Sequence, residues 1–218
     1  MSIFIFDAYG TLFDVHAALA RHREEAGAEA DRMSEIWRAK QLEYSWTLTL
    51  SGQYSDFWTL TEKALDYALL RVPSVPKRLR PELLNAYFSL DAFPDAKESL
   101  QTLRSRGHKT GILSNGSPSM LKGAVEAAAI GDDLDAVLSV DALRMFKPRP
   151  EVYGLITDHF KCDASAVSFV SSNRWDVMGA VAFGFRAYWI NRAKMPDEYQ
   201  DLAPVAVVNE LSALADFA

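Results

Sequence analysis

Cysteine is almost absent. Cys162 stands alone among 218 residues, which excludes an intrachain disulfide and a cysteine-based metal cluster, and a buried, inert thiol is its expected state. The four histidines (His16, His22, His108, His159) are scattered without metal-ligand spacing. No Lys/Arg block occurs and the formal net charge is −6, so nothing supplies the phosphate-tracking patch of a nucleic-acid binder. A small anionic substrate stays compatible with that balance, because charge inside a pocket can oppose the net charge. No apolar run approaches the roughly 20 residues that span a membrane, and the N-terminus lacks a basic leader. A soluble, cytoplasmic protein with no membrane partner is expected. Repeats and low-complexity tracts are also missing.

What is present is ordinary globular material, 49% hydrophobic and 24% charged, long enough for one core and a smaller appended unit. The chain opens with a short buried strand, Ile3 to Phe6, that runs straight into Asp7. From Val15 to about residue 90 the apolar spacing is helical and no strand signal of any strength appears. Helices are expected from 15 to about 30, over 31–50, over 56–71 and over 75–90. Then strands and helices alternate. A helix begins near Asp95 and stops at Gly107; the strand "HKTGILSNG" follows, then a helix near 118–129, strand "DAVLSV", helix 150–160, strand "AVSFV", helix 175–183, strand "RAYWI" and a closing helix over 209–217. This alternation predicts an α/β fold with a doubly wound, Rossmann-like parallel sheet. Residues 1–14 and 92–218 form the expected α/β core domain, and 15–91 a helical cap domain inserted after strand one.

In open α/β sheets the ligand site lies beyond the carboxyl ends of the strands. The first strand ends in Asp7, with Thr11 in the following turn. The second ends in Ser114-Asn115-Gly116, the third leads to Lys147 and Tyr153, and the fourth ends in Ser171, Ser172, Asn173 and Asp176. Individually each has a plain reading: an Asp as a turn cap, a Lys on a solvated loop, an Arg covering apolar surface with its stem. Together they place a nucleophile, a cation, a second acid and several hydrogen-bonding groups at one mouth. Arg38, between Trp37 and Tyr44 in the helical block, is the arginine positioned to join them from above.

The stretches "DAYGTL", "SNG", "FKPRPEVY" and "SSNRWD" resemble, in order, the four signature motifs of the haloacid dehalogenase superfamily. The helical insertion resembles that superfamily's cap. Most members are phosphatases whose first motif carries a second Asp two residues after the nucleophile, and whose last motif supplies a further acid for Mg²⁺. Here those positions hold Tyr9 and Ser171-Ser172. A phenol with a pKa of about 10 cannot replace a carboxylic acid that cycles near neutrality, and a hard divalent cation loses charged oxygen ligands. A halide, which leaves without a proton, suits such a site. The departure itself resembles the L-2-haloacid dehalogenase branch, which shares "DAYGTLFDV", an arginine in the first cap helix and an "SSN-x-W-D" motif.

That resemblance implies roles at the matching positions. Asp7 attacks C2 of an L-2-haloalkanoate, haloacetates included, with Lys147 and Thr11 orienting it. Arg38, Asn115 and Trp175 cradle the halide. Ser114 and nearby backbone N–H groups hold the substrate carboxylate, and Tyr9, Leu42, Phe57 and Trp175 form an apolar wall. Asp176, positioned with Lys147, activates water, while Ser171, Asn173 and Tyr153 anchor the network. No metal and no cofactor is implied, and the partners are a small haloacid, water and a second copy in a homodimer. The competing readings are a phosphatase of the same superfamily and a non-catalytic anion-binding protein that kept the scaffold.

Overall fold

The computed structural model describes residues 2–218. Its strands are β1 (Ile3–Phe6), β2 (Lys109–Ser114), β3 (Ala136–Ser139), β4 (Val167–Ser171), β5 (Arg186–Ile190) and β6 (Ala206–Val208). They form one sheet in the order β3-β2-β1-β4-β5-β6, every pair parallel. The doubly wound α/β architecture is the one the alternating pattern predicts. The order reverses at β1, so the crevice of the fold opens at the carboxyl ends of β1 and β4.

Strand β1 is apolar throughout because helices cover both faces of a parallel sheet. Phe4, Ile5 and Phe6 are fully buried. Burial of such a side chain contributes about 1.5–3 kcal/mol, enough to hold the following residue against water even when that residue is an acid.

Helices α1 (Ala17–Ala20), α2 (Arg23–Ala26), α3 (Ala30–Leu50), α4 (Phe57–Arg71) and α5 (Arg80–Phe88) occupy the segment between β1 and β2. Helices α6 (Ala96–Ser105), α7 (Pro118–Ala127), α8 (Pro150–Phe160) and α9 (Arg174–Phe183) connect the strands. The segment's entry and exit are tied together: Asp14 N–H donates to Asp91 O at 2.9 Å and Phe93 N–H to Leu12 O at 2.8 Å. Buried polar groups knit α3 to α4, with Trp37 Nε1 donating to Thr61 O and Gln41 Nε2 to Thr61 Oγ1, both at 2.9 Å. Among the described residues, no helix is long and apolar enough to cross a membrane.

Three expectations need correction. The helix expected from 15 to 30 is broken into α1, α2 and a 3₁₀ turn: His22, at φ −113° and ψ 18°, leaves helical geometry between α1 and α2, and Gly27 at φ 74° ends α2. The closing helix is a 3₁₀ segment, Leu211–Phe217. Strand β6 was not expected at all. It has three residues, follows Pro204 and is half exposed at the sheet edge, too short for a periodic signal.

Helix α4 shows how locally an element boundary is set. Asp56 Oδ1 accepts Thr59 N–H at 3.0 Å and Oδ2 accepts the Thr59 hydroxyl at 2.7 Å. Asp56→Ala should cost about 1 kcal/mol, read as a lower urea midpoint at unchanged slope, and Asp56→Ser should restore most of it.

Candidate active site

Asp7 leaves β1 at the switch point, its N–H bonded to Val170 O at 2.8 Å. The turn that follows is tight. Thr11, Leu12 and Phe13 all donate to Ala8 O, and Gly10 takes φ 96°, where a side chain would also crowd Ser172 Oγ. This turn swings the Thr11 hydroxyl back to Asp7 Oδ2 at 3.2 Å. Asn173 Nδ2 donates to the same oxygen at 2.8 Å, and Lys147 Nζ lies 3.1 Å from Oδ1. Both carboxylate oxygens are therefore fixed.

Lys147 Nζ reaches Asp176 Oδ2 as well, at 2.9 Å. The lysine is 1% exposed and Asp176 fully buried, so one ammonium balances two carboxylates away from water. The Phe169 ring lies 5.0 Å beneath the ammonium. Burial by itself would lower the Lys147 pKa, but Asp176 and Asp7 outweigh it and hold the amine charged above its ordinary range. Asp176 is pushed up to about 6, chiefly by burial; Lys147 opposes the rise and Asp7 adds to it. The Tyr153 hydroxyl donates to Asp176 Oδ1 at 2.8 Å. Burial, then Asp176, push that phenol well above its ordinary value, so it stays a donor. Gly179 makes room for it: a Cβ there would overlap the Tyr153 hydroxyl and lie 2.7 Å from Pro148 Cβ.

Other expected residues join this centre less directly. Asn115 Oδ1 accepts Lys147 N–H at 3.0 Å, and Ser171 Oγ accepts Asn173 N–H at 3.1 Å. Arg38 Nη2 donates to Tyr9 O at 3.1 Å, bringing the α3 guanidinium to the Asp7 turn. The Tyr9 ring stacks on Tyr87 at 5.8 Å and lies 6.4 Å from Phe57. Ser114 is fully buried and caps Gly116 N–H at 3.1 Å. Two residues stand apart from the hydrogen-bonded network: Leu42 is half-buried one turn beyond Arg38, and Trp175 meets Trp46 edge-on at 5.3 Å.

Sequence reasoning gave Ser172 no role of its own and missed two further neighbours, Trp46 and Arg192. Ser172 N–H donates to Thr11 Oγ1 at 2.8 Å and its hydroxyl to Gly10 O at 2.7 Å. Trp46 presents a buried indole N–H without a partner. Arg192, two residues beyond β5, reaches Thr11 O at 3.2 Å. The strand-end rule already pointed to it, had the fifth strand been followed to its end.

A divalent cation does not fit these donors. The Asp7 oxygens already face an ammonium, an amide N–H and a hydroxyl, Asp176 faces the same ammonium, and Tyr9 and Ser172 supply no further carboxylate. Among the described residues no group of three or more His, Cys, Asp or Glu side chains converges, whereas a hard cation needs several oxygen ligands.

The family model for hydrolases of the haloacid dehalogenase-like type matches residues 1–184. The chain belongs to that family. It is 46% identical over 211 residues to (S)-2-haloacid dehalogenase 4A of Burkholderia cepacia, covering 96% of this chain and 91% of that one. A dehalogenase crystal structure superposes with TM-score 0.97 at 45% identity, covering 100% and 97% of the two chains. An L-2-haloacid dehalogenase of Xanthobacter autotrophicus with chloropropionic acid covalently bound superposes with TM-score 0.91 at 36% identity, covering 100% and 98%.

Removing the ammonium from this hydrolase tests the centre. Lys147→Met strands two buried carboxylates and should cost about 3–5 kcal/mol. Without its counter-charge Asp176 binds its proton more tightly in the folded than in the unfolded chain. The penalty should therefore be larger at pH 8 than at pH 5, and urea unfolding at the two values checks that sign.

Proposed function

We propose that this protein hydrolyses L-2-haloalkanoic acids, haloacetates included, to D-2-hydroxyacids and halide, without a metal, through an ester on Asp7. The observation that carries the proposal is the Asp7 carboxylate, fixed by Lys147, Thr11 and Asn173 on the scaffold of a family whose 46%-identical relative is an (S)-2-haloacid dehalogenase.

An Asp7 oxygen lone pair forms the bond to C2 as the carbon–halogen bond breaks and its electron pair leaves with the halide. Arg38 receives that anion, being permanently cationic and weakly hydrated, with Asn115 and the Trp175 edge beside it. Ser114 and the backbone N–H groups before α7 hold the substrate carboxylate. Tyr9, Leu42 and Phe57 keep the nucleophile in dry surroundings, where it is more reactive. Attack at C2 inverts it once, so an L substrate gives a D product.

Hydrolysis then occurs at the Asp7 carbonyl carbon. Asp176 takes a proton from water as the water oxygen adds to that carbon. It then returns the proton to the alkoxide oxygen as the bond between that oxygen and the Asp7 carbon breaks, freeing the hydroxyacid. The first step prepares the second. Esterified Asp7 has no charge, so the repulsion that helps raise Asp176 disappears, while Lys147 still favours its ionised form. Ser171, Asn173 and Tyr153 hold the groups in register.

The phosphatase alternative asks for an acid where Tyr9 stands. Burial, reinforced by Tyr87, pushes that phenol well above its ordinary value, further from proton exchange near neutrality. The connection at 14 and 91 supports a core of 1–14 and 92–218 with 15–91 as a cap. Leu50 and Leu70, 85% and 67% exposed near the C-terminal ends of α3 and α4, leave apolar surface on the cap that supports a homodimer, which sedimentation equilibrium tests; a monomer at micromolar concentration contradicts it. The lone cysteine is consistent with a cytoplasmic location, checked by fractionating cells of the source.

Halide release from the two enantiomers of 2-chloropropionate, each with EDTA and with Mg²⁺, is the direct test. Release from the L-enantiomer alone, indifferent to EDTA, is expected; Mg²⁺-dependent phosphate release from an ester control instead would overturn the reading. Asp7→Asn should abolish turnover once deamidation is excluded. Because the base must be ionised, kcat should fall as pH drops through about 6 or slightly below, and an acid limb above pH 7 would remove Asp176 from that role.

A further inference from the structure

Arg192 is a third cation at the sheet mouth, beside Lys147 and Arg38, and the reaction above gives it no task. It borders a cavity of about 460 Å³ whose walls include Gly10, Ser172 and Asn173, the same segments that hold Asp7, together with Arg38 and Trp189. Two arginines thus border one space beside the nucleophile. Neither is saturated. Arg38 Nη1 is buried with no hydrogen-bond partner, although each guanidinium carries five donors and a buried donor left unpaired is costly. Arg192 makes only long contacts, 3.2 Å to Thr11 O, 3.4 Å to Asp95 Oδ1 and 3.5 Å to Gly10 O. Its guanidinium is held in place by the Phe93 ring, 3.9 Å away.

Two carboxylates lie nearby: Asp95, whose Oδ1 pairs with Arg192 at 3.4 Å, and Asp14 in the cavity wall. Asp95 Oδ2 accepts Leu211 N–H at 2.6 Å, and Asp14 accepts His16 N–H at 2.9 Å. A chain of net charge −6 repels small anions on approach, and a local pair of cations in a concave wall offsets that repulsion by focusing the field.

We propose that this cavity is a second binding site, adjoining the catalytic carboxylate, for small monovalent anions, with Arg192 as its anchor. Resting on the dehalogenase reading, the anions concerned are the two products, halide and 2-hydroxycarboxylate, which pass between Arg38 and solvent by way of Arg192. No bond is made or broken there. The site shortens the path an anion travels without a counter-charge.

The test measures binding apart from turnover: ³⁵Cl NMR line-broadening by the full chain at constant ionic strength, with D-lactate as competitor. Arg192→Gln should weaken chloride binding about fivefold, the scale of one partly exposed charge contact. Arg192→Lys, which keeps the charge and loses the fork, should weaken it less. Displacement of the Arg192-dependent chloride by D-lactate assigns both products to the site, and lack of displacement assigns halide alone. Chloride binding in Arg192→Gln equal to that of the parent, with turnover reduced, would overturn the proposal and leave Arg192 as a clamp on the Gly10–Thr11 carbonyls. Arg192-dependent chloride binding in a protein that releases no halide from any 2-haloacid would retain the site and sink the dehalogenase reading instead.

Discussion

The ammonium of Lys147, buried between Asp7 and Asp176, is the interaction on which the rest of the site depends. Two carboxylates taken out of water repel each other and lose their hydration, and such charges are tolerated only when paired and hydrogen-bonded. One cation 3.1 Å and 2.9 Å from the two acids meets that requirement. Thr11, Asn173 and Tyr153 fill the remaining acceptor positions. The triad joins the end of β1, the loop before α8 and the first turn of α9. The proposed catalytic arrangement and a structural keystone are here the same atoms.

The parts of the site also fit together as a departure from metal-dependent chemistry. An ammonium neutralises the surroundings of Asp7, the proposed nucleophile, and needs no open ligand positions. Tyr9 adds apolar surface where a second acid would add charge, and it packs on Tyr87 instead of exchanging protons. Ser172 spends its hydroxyl and N–H on the Gly10–Thr11 turn. Each replacement dries or stiffens the site, and a displacement that needs a poorly solvated carboxylate profits from both.

Much of this was legible in the linear chain because the governing signals are local. The apolar run Ile3–Phe6 ending in an acid marks a central strand and its carboxyl end; Asp7, Lys147, Asn173 and Asp176 were found by following strands to their ends. Strand β6 was not legible, since three half-exposed residues at an edge carry no period. Arg192 escaped for a different reason. It lies beyond a strand whose end was not followed, and its meaning comes from Arg38, which is distant in sequence and near in space. The break at Gly27 shows a helical composition overridden by one backbone conformation.

By itself the sequence determined the element order, the parallel α/β class and the types of chemical group at each strand end. These follow from hydrophobic periodicity and residue identity, which are short-range properties. Only the tertiary structure decided that Lys147 bridges two acids, that both oxygens of Asp7 are occupied, that Asp176 is pushed up to about 6, and that Arg38 and Arg192 share a cavity. Those facts depend on distances between residues 140 and 29 positions apart in the chain, and on burial that arises once the sheet and its helices close around them. Electrostatic energy varies with separation and with the exclusion of water, and neither quantity exists until the chain has folded.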